Sequence, residues 1–188
     1  MSLSRKMPPL VMRRASLEHL PELSLPAGYG LRSFEPGDES AWERIIGDAF
    51  GWSERRGKFD QIMRQDDAFD PRRIYFVCRR EQPVGVAAAW VRREYEPEAL
   101  YLHYVGVLPA ESGQGLGYQA SLACLHHAVR EGRTWAVLHT DDFRLPAIQT
   151  YLKLGFCPWP RHPDHPERWE EVFRRLSVSG EAVCTPCR

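Results

Sequence analysis

The chain has 188 residues, a length that suits a single domain. Its 25 lysines and arginines balance 25 aspartates and glutamates, so no net charge would draw it to nucleic acid or to an anionic membrane surface. The longest apolar runs fall short of the roughly 20 residues that span a bilayer, and nothing at the N-terminus resembles a signal peptide. We therefore expect a cytoplasmic protein that binds neither nucleic acid nor a membrane.

The N-terminal part of the sequence predicts a strand followed by two helices. Residues 30–35 alternate apolar and polar side chains, as a half-buried strand does, and a turn then leads to Asp38 as a helix N-cap. Apolar residues recur at spacings of three and four from Trp42 to Phe50, which predicts an amphipathic helix with one buried face. A second, weaker helix is predicted over residues 53–67.

Three β-rich runs follow and predict an antiparallel meander. They cover residues 73–79, 83–92 and 99–108. The short polar segment 80–82 separates the first two runs, and its length suits a hairpin turn. Strands joined by connections as short as these become antiparallel neighbours in one sheet.

The C-terminal part predicts two helices and two strands. A helix from Tyr118 through Arg130, with Val129 on its apolar stripe, precedes a short strand over residues 135–139. A second helix is predicted over residues 143–154, and residues 168–176 are predicted to form the final strand. Together these elements predict a mixed α/β domain and not an alternating doubly wound sheet.

The domain itself is predicted to span residues 28–178. Residues 1–27 have no regular period and form an N-terminal extension, whose stretch 10–13 could add an edge strand. Residues 179–188 show no apolar period and are predicted to form a flexible tail. An exposed edge at residues 168–176 would allow a homodimer.

Two residue pairs raise the question of a metal site. Cys184 and Cys187 have the spacing of half a zinc knuckle, and His162 and His165 have a similar spacing. Neither pair has a second pair of ligands nearby. Prolines around the histidines predict a surface loop instead of a helical face that presents both rings. We therefore expect no bound metal.

A glycine-rich segment between a predicted strand and a predicted helix carries the main functional signal. Gly113, Gly115 and Gly117 let the backbone curl so that several N–H groups point at one position, next to the positive end of the helix dipole. Such a loop binds a pyrophosphate without lysine or arginine, although glycines also serve turns that bind nothing. A Walker loop needs lysine after its last glycine and a dinucleotide fingerprint needs glycine or alanine there, and Tyr118 fits neither.

Two stretches together resemble the GNAT superfamily of acyl-CoA-dependent N-acyltransferases. The first runs from Tyr104 to Gly117 and matches the family's strand, the proline that ends it and the glycine loop. The second runs from Ala147 to Phe156 and is similar to the family's helix that carries a tyrosine and ends at Gly-Phe. The resemblance implies a single-domain GNAT-like fold, with a mixed, mostly antiparallel β-sheet flanked by helices on both faces. It also implies acetyl-CoA as co-substrate.

The resemblance further implies which residues bind acetyl-CoA. The backbone of one strand segment would pair with the pantetheine arm, and the glycine loop would hold the pyrophosphate. The strand residues are Val105, Gly106 and Val107, and the loop residues are Ser112, Gly113, Gln114, Gly115, Leu116, Gly117 and Tyr118. Ser112 departs from the family's usual arginine or glutamine, and Arg144 departs from its usual asparagine. Arg144 would instead touch a phosphate or pair with Asp141 or Asp142.

Tyr151 is the candidate general acid that the resemblance implies. It would protonate the CoA thiolate as the thioester breaks, or at minimum donate a hydrogen bond to the sulfur. Packing of its helix against the sheet is the alternative role for this tyrosine.

His103 is the candidate general base. Its ordinary pKa near 6.5 lets an imidazole accept a proton at neutral pH, and it is predicted to face the same side of its strand as Val105 and Val107. Three alternatives stay open: a histidine packed in the sheet, a role for Glu94 or Glu96, and deprotonation through water.

These features predict an N-acetyltransferase that moves the acetyl group of acetyl-CoA to a primary amine of a small molecule or a peptide in a direct ternary complex. The alternative is an acyl-CoA-binding sensor or interaction protein with weak catalysis, because Ser112 and Arg144 depart from the family pattern. A nucleotide-dependent oxidoreductase would fit the glycine spacing alone. The sequence does not define the acceptor, although several aromatic residues offer a surface for it. They are Trp52, Phe59, Phe69, Trp90 and Tyr95.

Overall fold

The computed structural model describes residues 7–95 and 97–178. Glu96 and the predicted tail, with both of its cysteines, lie outside the described residues. The chain divides into two compact units. The larger unit is Ser16–Ala136, and the smaller unit combines Met1–Ala15 with Val137–Arg188.

Strands and helices follow one another irregularly along the chain. The strands are β1 (Leu10–Arg14), β2 (Tyr29–Ser33), β3 (Ile74–Arg79), β4 (Gln82–Trp90), β5 (Ala99–Val107), β6 (Trp135–Thr140) and β7 (Cys157–Pro158). The α-helices are α1 (Glu39–Phe50), α2 (Leu116–Arg130), α3 (Leu145–Lys153) and α4 (His165–Leu176). The predicted mixed α/β class is confirmed. Among the described residues, no helix is both long enough and apolar enough to cross a membrane.

The larger unit contains the predicted meander. Strands β2, β3, β4 and β5 are neighbours in that order, and each adjacent pair is antiparallel. Arg80 and Glu81 join β3 to β4 with φ angles of 47° and 70°, and positive φ at both central residues is typical of a tight hairpin turn that matches the twist of its strands. The polar segment predicted as a turn is therefore confirmed.

Two helices pack on the strands of the larger unit. Helix α1 contacts β4 and β5 through Trp42, Ile45 and Ile46, which are fully buried. Helix α2 contacts β3, β4 and β5, and its buried side runs from Ala120 to Ala128. The predicted stripe on α2 is wrong at one position, because the Val129 side chain is 46% exposed.

Asp38 lies at the N-cap position of α1, as predicted, but its carboxylate does not cap the helix. It accepts hydrogen bonds from the Arg32 guanidinium at 2.5 and 2.9 Å and from the Glu35 N–H at 2.8 Å. Asp38 therefore fixes the turn between β2 and α1 instead of satisfying an α1 amide.

The second predicted helix forms over only part of its predicted length. Residues 58–64 are helical, with a π-helical turn at Asp60–Arg64, and residues 53–57 are not helical. Gly57 has a φ of 75°, which interrupts a right-handed helix. Arg55 turns back to Asp48 of α1, with 2.6 Å between guanidinium and carboxylate.

The smaller unit holds strands β6, β1 and β7 in that order, with helices α3 and α4. Met12 of β1 pairs with Pro158 and Arg13 pairs with Cys157, in antiparallel register. The N-terminal stretch does form a strand, but β1 lies between two others and is not an edge. Burial of Leu10 and Met12 agrees with an interior position.

The predicted final strand is wrong, because residues 168–176 belong to helix α4. Trp169 and Val172 are spaced for one helical face and are buried, while charged residues occupy the other faces. A helix offers no sheet edge at this place, so the predicted basis for a homodimer is absent there.

Candidate active site

The glycine-rich loop joins β5 to α2 through a 3-10 turn at Pro109–Glu111. Gly113 and Gly115 have φ angles of 82° and 74°, in the left-handed region where a side chain would be strained. The Gln119 N–H donates a hydrogen bond to the Gly115 carbonyl at 3.1 Å. It is the first amide of α2 that bonds the carbonyl four residues before it. The amides before Gln119 at the helix start therefore have no partner inside the helix, which is the arrangement that anions bind.

Much of this loop is accessible to a ligand. Residues 112–115 are exposed and Tyr118 is half-buried, whereas Leu116 is buried and can contribute only its backbone. A Cβ added at Gly117 would lie 3.6 Å from Cγ2 of Val107, an ordinary contact. The packing therefore does not require glycine at position 117, and the missing side chain leaves room over the helix start.

A β-bulge interrupts β5 shortly before the loop. Val86 pairs with Gly106 and Ala88 pairs with His103, so β5 advances one residue more than β4 between the two pairs. Tyr104 lies within this irregularity with a φ of 43°, a conformation that residues other than glycine seldom adopt. Strain of this kind costs about 1 to 3 kcal/mol and is concentrated at functional sites.

The bulge changes which side chains of β5 share a face. His103 and Gly106 point to the same side, because their partners on β4 are two residues apart. A Cβ at Gly106 would lie 2.9 Å from Cδ1 of Ile46, so this side faces α1. Val107 points to the other side, toward Gly117 of α2. The prediction that His103 and Val107 face the same side is wrong, because an extra residue reverses the alternation.

His103 is half-buried among aromatic rings on the α1 side of the larger unit. Its ring centroid lies 4.0 Å from that of Tyr104, 5.0 Å from that of Tyr101 and 5.9 Å from that of Trp90. The imidazole therefore lies next to the strained residue of the bulge. It is also exposed enough to exchange a proton with solvent.

Tyr104 is the centre of an aromatic cluster that we define as Trp42, Phe50, Trp52 and Tyr104. The Tyr104 ring centroid lies 5.1 Å from Trp42, 5.9 Å from Phe50 and 6.3 Å from Trp52. Phe50, Trp52 and Tyr104 are half-buried, so part of the cluster faces solvent. Trp42 is fully buried, and its indole N–H finds no hydrogen-bond partner among the described residues.

The five aromatic residues singled out from the sequence separate into different places. Phe59 and Trp90 are buried in the core, and Phe69 packs between them. Tyr95 stacks on Tyr101 at 6.1 Å. Trp52 is the one of the five that belongs to the aromatic cluster.

Tyr151 lies in α3 of the smaller unit and is buried. Burial raises the pKa of its phenol to about 12, and the Arg144 charge acts in the opposite direction. The phenol therefore keeps its proton at neutral pH and can act as a hydrogen-bond donor.

Arg144 stands at the N-cap position of α3. Its Nε donates to the Asp141 carboxylate at 3.1 Å, and its guanidinium lies 5.4 Å from the Phe143 ring centroid. Asp142 instead pairs with Arg168, with 2.5 Å between the closest atoms. The predicted pairing of Arg144 with Asp141 is observed.

The remaining candidates from the sequence are less suited to catalysis. Glu94 is mostly exposed and pairs with Arg92 at 3.3 Å, as a solvated loop carboxylate does. His165 begins α4 and is buried, so the prediction of a surface loop is wrong for it, and its ring centroid lies 5.9 Å from that of His162. Within the described ranges, no group of three or more histidine, cysteine, aspartate or glutamate side chains is placed to hold a metal.

The sequence reasoning missed a buried carboxylate at the start of the loop. Glu111 is 8% exposed and accepts hydrogen bonds from the Tyr29 hydroxyl at 2.5 Å and from the Arg79 guanidinium at 3.0 Å. These two donors, Tyr29 foremost, hold the pKa of Glu111 below its ordinary value. Its partners come from β2 and β3, which lie far away in sequence, and an acidic residue just before an anion-binding loop was the available signal.

Residues 40–156 match the family profile described as the Acetyltransferase (GNAT) family. One curated relative, a mycothiol acetyltransferase of Nocardia farcinica, is 33% identical over 156 residues, which cover 78% of this chain and 52% of the relative. The chain thus spans about half the length of the curated relatives it matches.

Solved structures share the fold. A GCN5-related N-acetyltransferase from Sphaerobacter thermophilus aligns with a TM-score of 0.63 and 22% identity, covering 81% of this chain and 50% of that one. AAC(6')-Iy in complex with the bisubstrate analog CoA-S-monomethyl-acetylneamine aligns with a TM-score of 0.58 and 15% identity, covering 71% of this chain and 94% of that one. Since the profile matches more than half of the sequence, including the bulged strand, the glycine loop and α3, the chain belongs to the GNAT acetyltransferase family.

Proposed function

We propose that this chain transfers the acetyl group of acetyl-CoA to a primary amine of a small molecule or a peptide, by direct transfer in a ternary complex. The proposal is based mainly on the exposed glycine loop at the start of α2, which directly follows a bulged strand. The chain is also a member of the GNAT family. Relatives named mycothiol acetyltransferase support an acetyl-transferring activity, and one structural neighbour was solved with a CoA-based analog.

Acetyl-CoA binding would rest on backbone groups of the larger unit. The pyrophosphate would accept hydrogen bonds from the loop amides between Ser112 and Tyr118, at the positive end of the α2 dipole. The absence of a side chain at Gly117 supports this, because the fold does not need glycine there. The pantetheine amides would pair with the backbone of Val105, Gly106 and Val107, in the manner of an added strand.

The chemical step requires a neutral amine close to the thioester carbonyl. A bond forms between the amine nitrogen and the acetyl carbon, the carbon–sulfur bond breaks, and CoA leaves as a thiolate. Positioning of the two reactants supplies much of the rate enhancement. His103 would take the proton that the attacking nitrogen loses, which contributes about 10²- to 10⁴-fold for a well-placed base.

Tyr151 would stabilise the sulfur that leaves. An ordinary thiol titrates near 8.5, and the phenol of Tyr151 titrates at about 12, so complete proton transfer from Tyr151 to the thiolate would be uphill. We therefore assign Tyr151 a hydrogen bond to the developing thiolate, with the final proton drawn from solvent. A neutral donor of this kind acts in the transition state, where the charge on sulfur develops.

The acceptor amine would bind at the aromatic cluster. The cluster surrounds Tyr104 and touches His103, and Phe50 and Trp52 each leave part of a ring accessible. Aromatic faces attract organic cations and flat apolar groups, so the body of the acceptor would rest on these rings.

Calorimetric titration with acetyl-CoA tests the binding half of the proposal. We expect micromolar affinity in the native chain and a large loss in Gly117→Val, because the added side chain would cover the helix start. Gly30→Val is a matched control, since no atom would lie within 4 Å of a Cβ at that position in β2. Binding followed by CoA release on addition of amines supports the transferase. Binding without release over a broad amine panel supports the acyl-CoA sensor.

A further inference from the structure

The loop proposed to bind the pyrophosphate has an unusual acidic neighbour. Glu111 ends the 3-10 turn that leads into the loop, and its carboxylate is almost fully removed from solvent. A buried negative charge next to a phosphate would weaken phosphate binding unless a cation neutralises it. In this chain Arg79 provides that cation, with 3.0 Å between its Nη1 atom and the carboxylate.

The backbone places Arg79 at the same end of the sheet as the loop. Arg79 is the last residue of β3, and the Leu108 N–H donates to the Val84 carbonyl of β4 at 2.9 Å, which brings the β3–β4 hairpin beside the end of β5. Tyr29 reinforces the connection, because its hydroxyl donates a hydrogen bond to the Glu111 carboxylate.

Arg79 keeps unused capacity to bind an anion. Among residues 7–95 and 97–178, the guanidinium makes one hydrogen bond, from Nη1 to Glu111, while the group carries five N–H donors in all. Its side chain is 55% exposed, so a ligand can reach the remaining donors. An arginine whose guanidinium is held by one carboxylate and keeps further N–H donors exposed is suited to bind a phosphate.

We propose that Arg79, held beside the loop by Glu111 and Tyr29, binds a phosphate group of acyl-CoA and so supplies the cation that Ser112 does not provide. This inference rests on the proposed acetyl-CoA binding. It assigns Glu111 as a positioning residue, which acts through Arg79 and does not touch the ligand. The phosphate is either the pyrophosphate or the 3′-phosphate of the CoA ribose, and the two sources are separable by experiment.

The test compares calorimetric dissociation constants for CoA and for 3′-dephospho-CoA in the full chain and its variants. Arg79→Ala should weaken CoA binding about tenfold or more, as loss of a hydrogen bond to a charged group does. The matched control is Arg72→Ala. Like Arg79, Arg72 pairs with a carboxylate, that of Asp70, and its side chain is 82% exposed, but it lies before the first residue of β3, roughly 20 Å from Arg79 along the strand. Arg72→Ala should leave both dissociation constants unchanged.

Two further variants guard against loss of folding as an explanation. Arg79→Gln keeps a donor for Glu111 and removes only the charge, and it should weaken CoA binding while thermal unfolding stays close to that of the native chain. Arg79→Lys should restore part of the affinity. In steady-state assays, Arg79→Gln should raise the KM for acetyl-CoA and leave the KM for the amine unchanged, a separation that a general packing defect would not produce.

The outcomes distinguish this inference from the proposed function. If Arg79→Ala weakens binding of CoA but not of 3′-dephospho-CoA, the 3′-phosphate is the partner, and if both weaken equally, the pyrophosphate is. If the native chain binds CoA and Arg79→Ala behaves like Arg72→Ala, the role of Arg79 is refuted while the proposed function stands. If the native chain binds neither CoA nor acetyl-CoA, the proposed function fails and the role of Arg79 fails with it.

Discussion

The Tyr104 ring packs edge to face against Trp42, with ring centroids 5.1 Å apart and an interplanar angle of 69°. The contact joins the strained residue of the β5 bulge to a fully buried residue of α1. An aromatic pair in this geometry contributes about 0.5 to 1.5 kcal/mol beyond its buried area. Tertiary packing therefore holds the bulge in place against a backbone conformation that is locally unfavourable.

Truncating Trp52 should weaken binding of the acceptor amine and leave the donor unaffected. Trp52→Ala removes the partly accessible ring that lies 6.3 Å from Tyr104, so we expect the KM for the amine to rise about tenfold, the equivalent of roughly 1.4 kcal/mol. The KM for acetyl-CoA should change little. An unchanged amine KM together with a raised acetyl-CoA KM would contradict the placement of the acceptor at the aromatic cluster.

Adding a methyl group at Gly106 should destabilise the fold. The Cβ of Gly106→Ala would lie 2.9 Å from Cδ1 of Ile46 and 3.2 Å from Cβ of Ala49, so α1 must move away from β5. Overpacking of this kind costs about 1 to 3 kcal/mol. Thermal unfolding measures the effect, with Gly30→Ala as the control at an uncrowded strand position. Equal melting temperatures for the two variants would show that α1 is not packed this closely.

Local patterns in the sequence predicted the meander, α1, α2 and the glycine loop, because each depends on periodicity or on turn residues that are neighbours in the chain. The bulge at Tyr104 was not predictable, since the apolar run of β5 continues through it without a break. Helix α4 was mistaken for a strand. Its tryptophan, valine and phenylalanine favour β structure by propensity. The spacing of its buried residues, Trp169 and Val172, is instead that of one face of a helix.

The candidate site was predicted in part. The loop glycines and Tyr151 were proposed from two motifs, each of which is continuous in sequence. The Glu111 pairings with Tyr29 and Arg79 depend on which strands become neighbours, and no local pattern encodes that. The side of the sheet that His103 faces depends on the register of β5 against β4. A single extra residue in β5 moves the side chains beyond it to the opposite side.

Replacing Tyr151 by phenylalanine should lower kcat about 10²-fold without a large change in either KM, because the lost hydrogen bond acts on the charge that develops at sulfur. Since the phenol titrates at about 12, the native activity should show no decline from Tyr151 ionisation at any pH below about 11. A native pH profile that falls near pH 9 and loses that limb in Tyr151→Phe would contradict this assignment.

The same tyrosine should affect stability at alkaline pH. Its pKa is higher in the folded chain, about 12, than its ordinary value of 10.0, so its contribution is fully present below pH 10 and is lost as the pH rises toward 12. Tyr151→Phe should therefore lose less stability than the native chain over this interval. Chemical denaturation at pH 9 and pH 11 measures the difference, and equal losses in both proteins would contradict it.

Glu131 should contribute to stability at neutral pH and lose that contribution in acid. Partial burial acts to raise the pKa of its carboxylate, but hydrogen bonds from Arg73, His127 and Arg133 outweigh this effect and lower the pKa from 4.5 to about 2. The contribution is therefore present above pH 4.5 and lost as the pH falls toward 2. Glu131→Gln should be less stable than the native chain at pH 7, and the gap should narrow by pH 3. A gap that is constant with pH would show that the charge is unimportant.

The most direct test of the central claim is the initial rate of CoA-thiol release, measured while acetyl-CoA and a primary amine are varied together. Direct transfer in a ternary complex predicts release only when the amine is present, one acetylated amine for each CoA, and double-reciprocal plots that intersect. Release of CoA without amine, with parallel plots and an acetylated protein, would contradict direct transfer. No release with any amine, despite bound acetyl-CoA, would contradict the transferase function itself.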